Sequence, residues 1–217
     1  MPEPNVATDR LETVLLDGTR VRFRQIRPDD KQWLERGMAQ MSPESRYRRF
    51  FSPLDHLTAE QLTYFTEVDQ VEHVAWVATL PDEPGDPAIA VARFVRLPAD
   101  HESAEAAVTV IDPYQGRGIG RALLMVLSEA AINLGVKRFS MFVLGQNENM
   151  LSLLRDAGAV QDSVHDGVYE MHVALPATTA EIDTSAAPKV LKVAASGHLH
   201  GEASPGLFGL HFRMGRK

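Results

Sequence analysis

The sequence predicts an α/β (α+β) fold: a mixed, mostly antiparallel central sheet with flanking helices. Three observations predict it. Val74–Leu80 and Ala88–Leu97 are β-branched, apolar runs joined by the Pro- and Gly-rich Pro81–Pro87, which reads as an antiparallel hairpin. A further apolar run, Ala104–Ile111, passes through Gly116-Arg117-Gly118-Ile119-Gly120 directly into a long amphipathic helix. Between the first strand and the hairpin come helices alone, so strands and helices do not alternate as a doubly wound parallel sheet requires.

In chain order, residues 1–17 read as an arm with two prolines and mixed polarity, with one strand at Thr13–Leu16. Asp17-Gly18 is a turn signal. Thr19–Ile26 alternates Val21 and Phe23 against Arg20, Arg22 and Arg24, the pattern of a half-buried strand. Arg27-Pro28-Asp29-Asp30 starts a helix with acids in its first turn, and Trp33, Leu34, Met38 and Met41 give it an apolar face. Ser42-Pro43 opens a second helix. There Arg46, Arg48 and Arg49 interleave with Tyr47, Phe50 and Phe51, and the expectation is a solvated basic face over aromatic core residues rather than a binding patch. Thr58-Ala-Glu-Gln61 is a capping box for a third helix through Phe65.

After the hairpin, Pro98–Ser103 is expected to be a polar connection before the strand Ala104–Ile111. From Ile119 the apolar positions Ala122, Leu123, Val126, Leu127, Ala130 and Leu134 keep helical spacing, and Gly135 ends the helix. Lys137–Leu144 is a strand, Asn147–Ala157 a short helix closed by Gly158, and 159–163 with 167–175 a last strand pair about His165-Asp166-Gly167. From Pro176 periodicity is lost, so the chain divides into the arm 1–17, a domain over 18–176 and a low-order tail over 177–217. The tail ends in an apolar Leu207–Phe212 and carries His198, His200 and His211, which lack a carboxylate or cysteine to complete a metal site.

Composition narrows the function. The chain has 217 residues, with 22 Lys and Arg against 29 Asp and Glu, a formal net charge of −7 and no cysteine. The acidity disfavours a general nucleic-acid binder and mildly favours cationic partners. Without cysteine there is no disulfide, thiolate metal site or cysteine nucleophile. No stretch is long and apolar enough to span a bilayer, and the first residues lack the order of a signal peptide, so a cytoplasmic protein without membrane contact is expected.

The glycine loop is a phosphate site by its chemistry. Glycines let a backbone approach an anion closely, and a helix N-terminus directs free amides and a partial positive charge at it. Gly116, Gly118 and Gly120 are spaced Gly-x-Gly-x-Gly, not Gly-x-Gly-x-x-Gly, and no Gly-Lys-Ser/Thr follows, so neither common nucleotide loop is present. What stands there is Gln115-x-x-Gly118-x-Gly120 between a strand and a helix.

That pattern, with the next strand, Asn147 and the short helix ending at Gly158, resembles the GNAT superfamily of acetyl-CoA-dependent N-acetyltransferases over roughly residues 18–175. Ser42–Phe51, Ala92–Arg96 and Ala104–Val108 are similar to the acetyltransferase domain of bacterial Pat-type protein lysine acetyltransferases. The resemblance implies a splayed strand pair in the sheet. It implies that acetyl-CoA is the co-substrate, with no metal, and that its pyrophosphate sits on Gln115, Gly116, Arg117, Gly118, Ile119, Gly120 and Arg121. Val108, Thr109 and Val110 would hold the pantetheine arm and the acetyl carbonyl, and Asn147 lies beside it, its other role being a helix cap. Pat-type proteins often carry an additional regulatory domain; a chain of this length is expected to hold the acetyltransferase domain alone.

Acyl transfer needs a neutral amine, and a lysine with a pKa near ~10.4 is almost wholly charged at neutral pH. A base must take the proton, and the resemblance assigns that role to Glu105, whose pKa burial beside apolar neighbours would raise. Many family members place a tyrosine seven residues after the asparagine to protonate the leaving thiolate. Here that position is Leu154; Tyr114 and Tyr169 do not match the motif, so no general acid is assigned. The expected function is acetyl transfer to a primary amine, a protein lysine first. A small-molecule amine acceptor and a non-catalytic acetyl-CoA sensor are the alternatives. A groove with acidic rims would suit a protein substrate and a closed pocket a metabolite.

Overall fold

A computed structural model describes residues 11–15 and 17–179. The described chain forms one eight-stranded sheet in the order β1-β2-β3-β4-β5-β6-β8-β7. Its strands are β1 (Leu11–Val14), β2 (Arg20–Gln25), β3 (His73–Thr79), β4 (Ala88–Leu97), β5 (Asp100–Val110), β6 (Arg138–Leu144), β7 (Val160–His165) and β8 (Val168–Ala174). The helices are α1 (Lys31–Ala39), α2 (Pro43–Phe50), α3 (Ala59–Thr66), α4 (Ile119–Asn133) and α5 (Glu148–Asp156). This is the mixed, mostly antiparallel sheet with flanking helices that the sequence predicts. Strands β1 to β5 form an antiparallel meander, and β5 with β6 is the one parallel pair among the described residues.

Local chemistry sets most of these elements. Ser42 accepts a hydrogen bond from the Ser45 amide at the head of α2, with Pro43 in the first turn. Thr58 and Gln61 cap α3 reciprocally. Side chains alternate along β4: Ala90, Ala92 and Phe94 join the main core with Leu123, Val126 and Leu127 of α4, while Val91, Arg93 and Val95 face the other side. That second face is covered by α1, α2 and α3 through two smaller clusters, one around Ile26, Ala75 and Val77 and one around Met38, Leu57 and Leu62. Arg24 and Asp30, both buried, form a bidentate pair at 2.7 and 2.8 Å that ties the chain entering α1 to β2.

Three expectations are corrected in their bounds. The first strand is Leu11–Val14, two residues earlier than Thr13–Leu16, and it pairs with β2 as the sheet edge. The arm therefore contributes a strand wherever it is described. The helix expected at Arg27 starts with a single 3₁₀ turn, Pro28–Asp30, before α1. Residues 100–103 are not a connection: β5 begins at Asp100, which caps the turn by accepting from the Glu102 amide and the Ser103 hydroxyl. Their polarity hides the strand because His101 and Glu102 point to solvent, while Ser103 and Ala104 are buried. Of the tail, only 177–179 are described, so His198, His200, His211 and Leu207–Phe212 lie outside the described residues.

The feature that positions the site is the brevity of the parallel pair. β5 is bonded to β6 only over Ser103–Glu105 against Arg138–Ser140. Beyond Glu105 the two strands part. Met141 to Leu144 stay paired with β8, and Ala106 to Val110 keep only their β4 partners.

Candidate active site

The parting strands open a cleft of about 480 Å³. One wall is Glu105 to Val110 of β5, the other Met141, Phe142 and Val143 of β6. Gln115, Gly116, Gly118, Ile119, Gly120 and Arg121 close one end, and Asn147, Met150 and Leu153 belong to the far side. Of the twelve predicted site residues, all but Arg117 line it. Arg117 instead reaches Asp17 at 2.9 Å and the Pro113 carbonyl at 2.9 Å, and stacks over Tyr114. It is a brace for the loop.

The head of α4 has no side-chain cap, and unlike α1, which continues a 3₁₀ turn, it follows directly on the glycine loop. Side chains cap α2, α3 and α5, but α4 begins on Gly118, which has no side chain to cap with. The first intrahelical bond is Ala122 N–H to the Gly118 carbonyl. The amides of Ile119, Gly120 and Arg121 therefore have no intrahelical acceptor, and all three residues line the cleft. Gly118 holds φ +83° and Gly116 +73°, a left-handed backbone that L side chains rarely adopt. Gln115 fixes the loop from within, donating to the Val110 carbonyl at 3.0 Å and to Asp112 at 3.1 Å. An uncapped helix N-terminus, two left-handed glycines and Arg121 make this end of the cleft suited to a polyanion.

Glu105 stands at the fork, the last β5 residue paired with β6. It is exposed and lines the cleft. The expectation of burial beside apolar neighbours is thus not met. The strand ends its pairing with β6 here, at the mouth of the cleft. The electrostatic surroundings of Glu105 are cationic instead. Burial lowers the pKa of the Arg49 guanidinium, and the charge of Glu105 works against that. Burial raises the Tyr64 phenol, Arg93 opposes the rise, and Glu105 adds to it.

Behind Glu105 lies a buried group of polar residues on the helix-covered face. Arg93 is 6% exposed, donates to the Phe65 carbonyl at 3.2 Å, lies 3.0 Å from His73 Nε2 and stacks over the Phe65 ring. Burial and the neighbouring Arg49 lower its pKa to about 9. Burial, reinforced by Arg93, pushes His73 from 6.5 down to about 3, so its ring is neutral and Nε2 accepts. The unfolded chain binds a proton on this imidazole below about pH 6.5 and the folded chain does not until near 3. Stability is therefore complete above 6.5 and is lost as pH falls through that window. Between pH 7 and 5 the chain is expected to lose about 2 kcal/mol more than His73→Asn does, read from urea denaturation at each pH.

The basic stretch in α2 is where the sequence misled. Arg46 donates to the Met38 and Met41 carbonyls and to Asp55, closing the turn between α1 and α2. Arg48 and Arg49 both line the cleft, and Arg48 Nε is buried with no hydrogen-bond partner among the described residues. The expected solvated face is thus a cleft wall. The interleaved arginines and aromatics were the available signal, and only the position of α2 over the sheet decides how to read it. Leu154 is buried in the main core, Tyr169 packs against Gly145 away from the cleft, and Tyr114 lines the cleft. Asn147 both lines the cleft and caps α5, accepting from the Met150 amide at 3.3 Å. Asp162, Glu170 and His172 form a separate, partly exposed group on β7 and β8, with no part in the cleft lining.

Residues 30–159 match the model of the acetyltransferase (GNAT) family. The chain is 39% identical over 154 residues to acetyltransferase Pat of Mycolicibacterium smegmatis, covering 71% of this chain and 45% of that protein. It thus spans less than half the length of that relative. Among solved structures, the GNAT domain of S. lividans PAT superposes with a TM-score of 0.71 at 36% identity, over 80% of this chain and 100% of that one. A cAMP-binding acyltransferase from Mycobacterium smegmatis superposes at 0.56 and 32% identity, over 87% and 56%.

Proposed function

The chain belongs to the GNAT family of acetyltransferases, a family that uses acetyl-CoA, and from that premise we propose that it moves the acetyl group of acetyl-CoA to a primary amine, a protein lysine first, with Glu105 as general base. The catalytic unit in this reading is 18–176. One observation carries it: a cleft formed by two parting strands, with an uncapped helix N-terminus at one end and a single carboxylate at the fork.

The pyrophosphate of acetyl-CoA suits the amides of Ile119, Gly120 and Arg121, with Arg48 and Arg121 as further cations in the lining. The pantetheine arm suits the β5 edge from Val108 to Val110, which has no β6 partner, and Asn147 stands opposite. In the reaction, Glu105 takes a proton from the ammonium. The freed lone pair attacks the thioester carbonyl, and a backbone amide of β5 stabilises the oxyanion. The C–S bond then breaks, the nitrogen gives up its second proton to water, and CoA leaves as thiolate. With Leu154 at the tyrosine position no side chain is assigned to protonate it, and a thiol pKa near ~8.5 makes strong acid help unnecessary.

A small-molecule acceptor is the second reading, favoured by the absence of an acidic rim: among the described residues Glu105 is the sole carboxylate in the cleft lining. A purely sensing role is disfavoured because Glu105 lies in the cleft lining. The test is release of free CoA from acetyl-CoA in the presence of an amine panel and of extract proteins. Release that depends on an amine supports acetyl transfer. Acetyl-CoA binding with no release for any acceptor would leave only the sensor.

A further inference from the structure

Beside the cleft, beneath α1, α2 and α3, lies a smaller cavity on the sheet face away from α4. It meets the cleft at Met41, Arg49 and Thr109, which line both. Its walls are apolar, with Trp33, Leu34, Phe50, Phe65 and Val91 among them, and its only charged lining residues are Arg49 and Arg93. The open space is about 60 Å³, room for a group of a few heavy atoms.

Two cations and no anion is an unbalanced lining. Buried guanidiniums normally face a carboxylate, as Arg24 faces Asp30. Arg93 forms no salt bridge among the described residues. Its partners are a carbonyl, a neutral imidazole and an aromatic face. Arg49 disfavours the charge on Arg93 in this low dielectric; Glu105 supports the charge on Arg49 from the cleft side, and an anion inside the cavity would do the same for Arg93. The chain as a whole is acidic, so this local excess of positive charge runs against its composition.

The cavity also lies within reach of the chemistry. Glu105 is opposite Val95 in the β4–β5 register and Arg93 is opposite Ala107, so Glu105 and Arg93 are diagonal neighbours on one sheet face. Such positions are roughly 7–8 Å apart. A group held at Arg93 and an amine deprotonated at Glu105 can thus belong to one molecule, a few bonds apart.

We propose that this cavity receives a carboxylate of the acceptor, so that the preferred amine carries an acid close by. The inference rests on the acetyl-transfer reading for its context. Two sources share this chemistry: an Asp or Glu side chain next to the target lysine, and the carboxylate of a small amino acid. In both cases the acid offsets the buried guanidiniums, which would otherwise repel an incoming ammonium.

The direct test uses Trp33, which lines the cavity; the other tryptophan, Trp76, is fully buried. Titration with glutarate should change the emission saturably and glutaramide should not, and Trp33→Phe should abolish the signal. Kinetics then identify the source. Lysine peptides differing only by Glu or Gln beside the lysine form one pair, and β-alanine with β-alaninamide the other. The acid-bearing member of at least one pair should show kcat/KM about 10- to 100-fold higher. Arg93→Met should erase that preference and leave the KM for acetyl-CoA unchanged. If that variant does not fold, the wild-type pairs decide alone. A glutarate titration without saturable change, or acid and amide acceptors used equally, overturns the proposal while acetyl transfer stands. Glutarate binding with no CoA release for any amine would instead remove the acetyl-transfer reading and leave the anion pocket.

Discussion

Glu105→Gln is expected to lower kcat by about 10²- to 10⁴-fold while leaving acetyl-CoA affinity unchanged. Glutamine keeps the size of the side chain and removes its charge and basicity, one acceptor oxygen becoming an amide donor. Glu105 is remote from the glycine loop, at the fork end of the cleft, so the cofactor's anchoring amides are untouched. The loss should be largest near neutral pH and shrink as pH rises toward the acceptor's own pKa, where free amine no longer needs a base. Single-turnover acetylation across pH 6 to 10, with acetyl-CoA affinity from calorimetry, measures both halves. Equal turnover by the variant would remove Glu105 from the mechanism. A parallel loss of acetyl-CoA binding would make it a structural residue of the fork.

Gly118→Glu should weaken acetyl-CoA binding by about 100-fold or more. Its φ of +83° costs an L residue roughly 1–2 kcal/mol. An added Cβ there meets nothing within 4 Å, so the fold has space for it. The larger effect is electrostatic: the new carboxylate sits at the head of α4 and competes for the amides that would hold a pyrophosphate. Gly118→Ala carries the backbone strain without the charge and should weaken binding far less. Calorimetric titration of the folded variants with acetyl-CoA separates the two. Unchanged binding to Gly118→Glu would sink the loop assignment.

Where short-range chemistry dominates, the sequence was a good guide. Ala88–Leu97 is bounded by a proline-rich loop and a proline, and β4 occupies those residues. Thr58 with Gln61 and Asn147 with Met150 announce their helices because a cap acts within three residues. The glycine loop could be placed by the strand before it and the helix after it, and it lies where that context puts it. What failed was long-range. The start of β5 was hidden because half its opening residues face water, so polarity read as a loop. Arg49 looked like a surface charge until α2 was seated on a sheet whose partner strand also carries an arginine, Arg93. The assignment of Glu105 came from a family resemblance rather than from any local pattern. Nothing within a few residues of it marks the point where β5 and β6 separate.

That separation has a mechanical side. Three facing residue positions join β1–β5 to β6–β8 through backbone pairing, and past them the sheet is unzipped. A crack that starts at an already open tip spreads with less force than one that must break an intact ladder. A molecule lying along the cleft contacts both halves, so its binding free energy is also resistance to tearing along this seam. The same gap that admits a ligand therefore makes the ligand a structural member of the sheet, and the protein is stiffest when occupied.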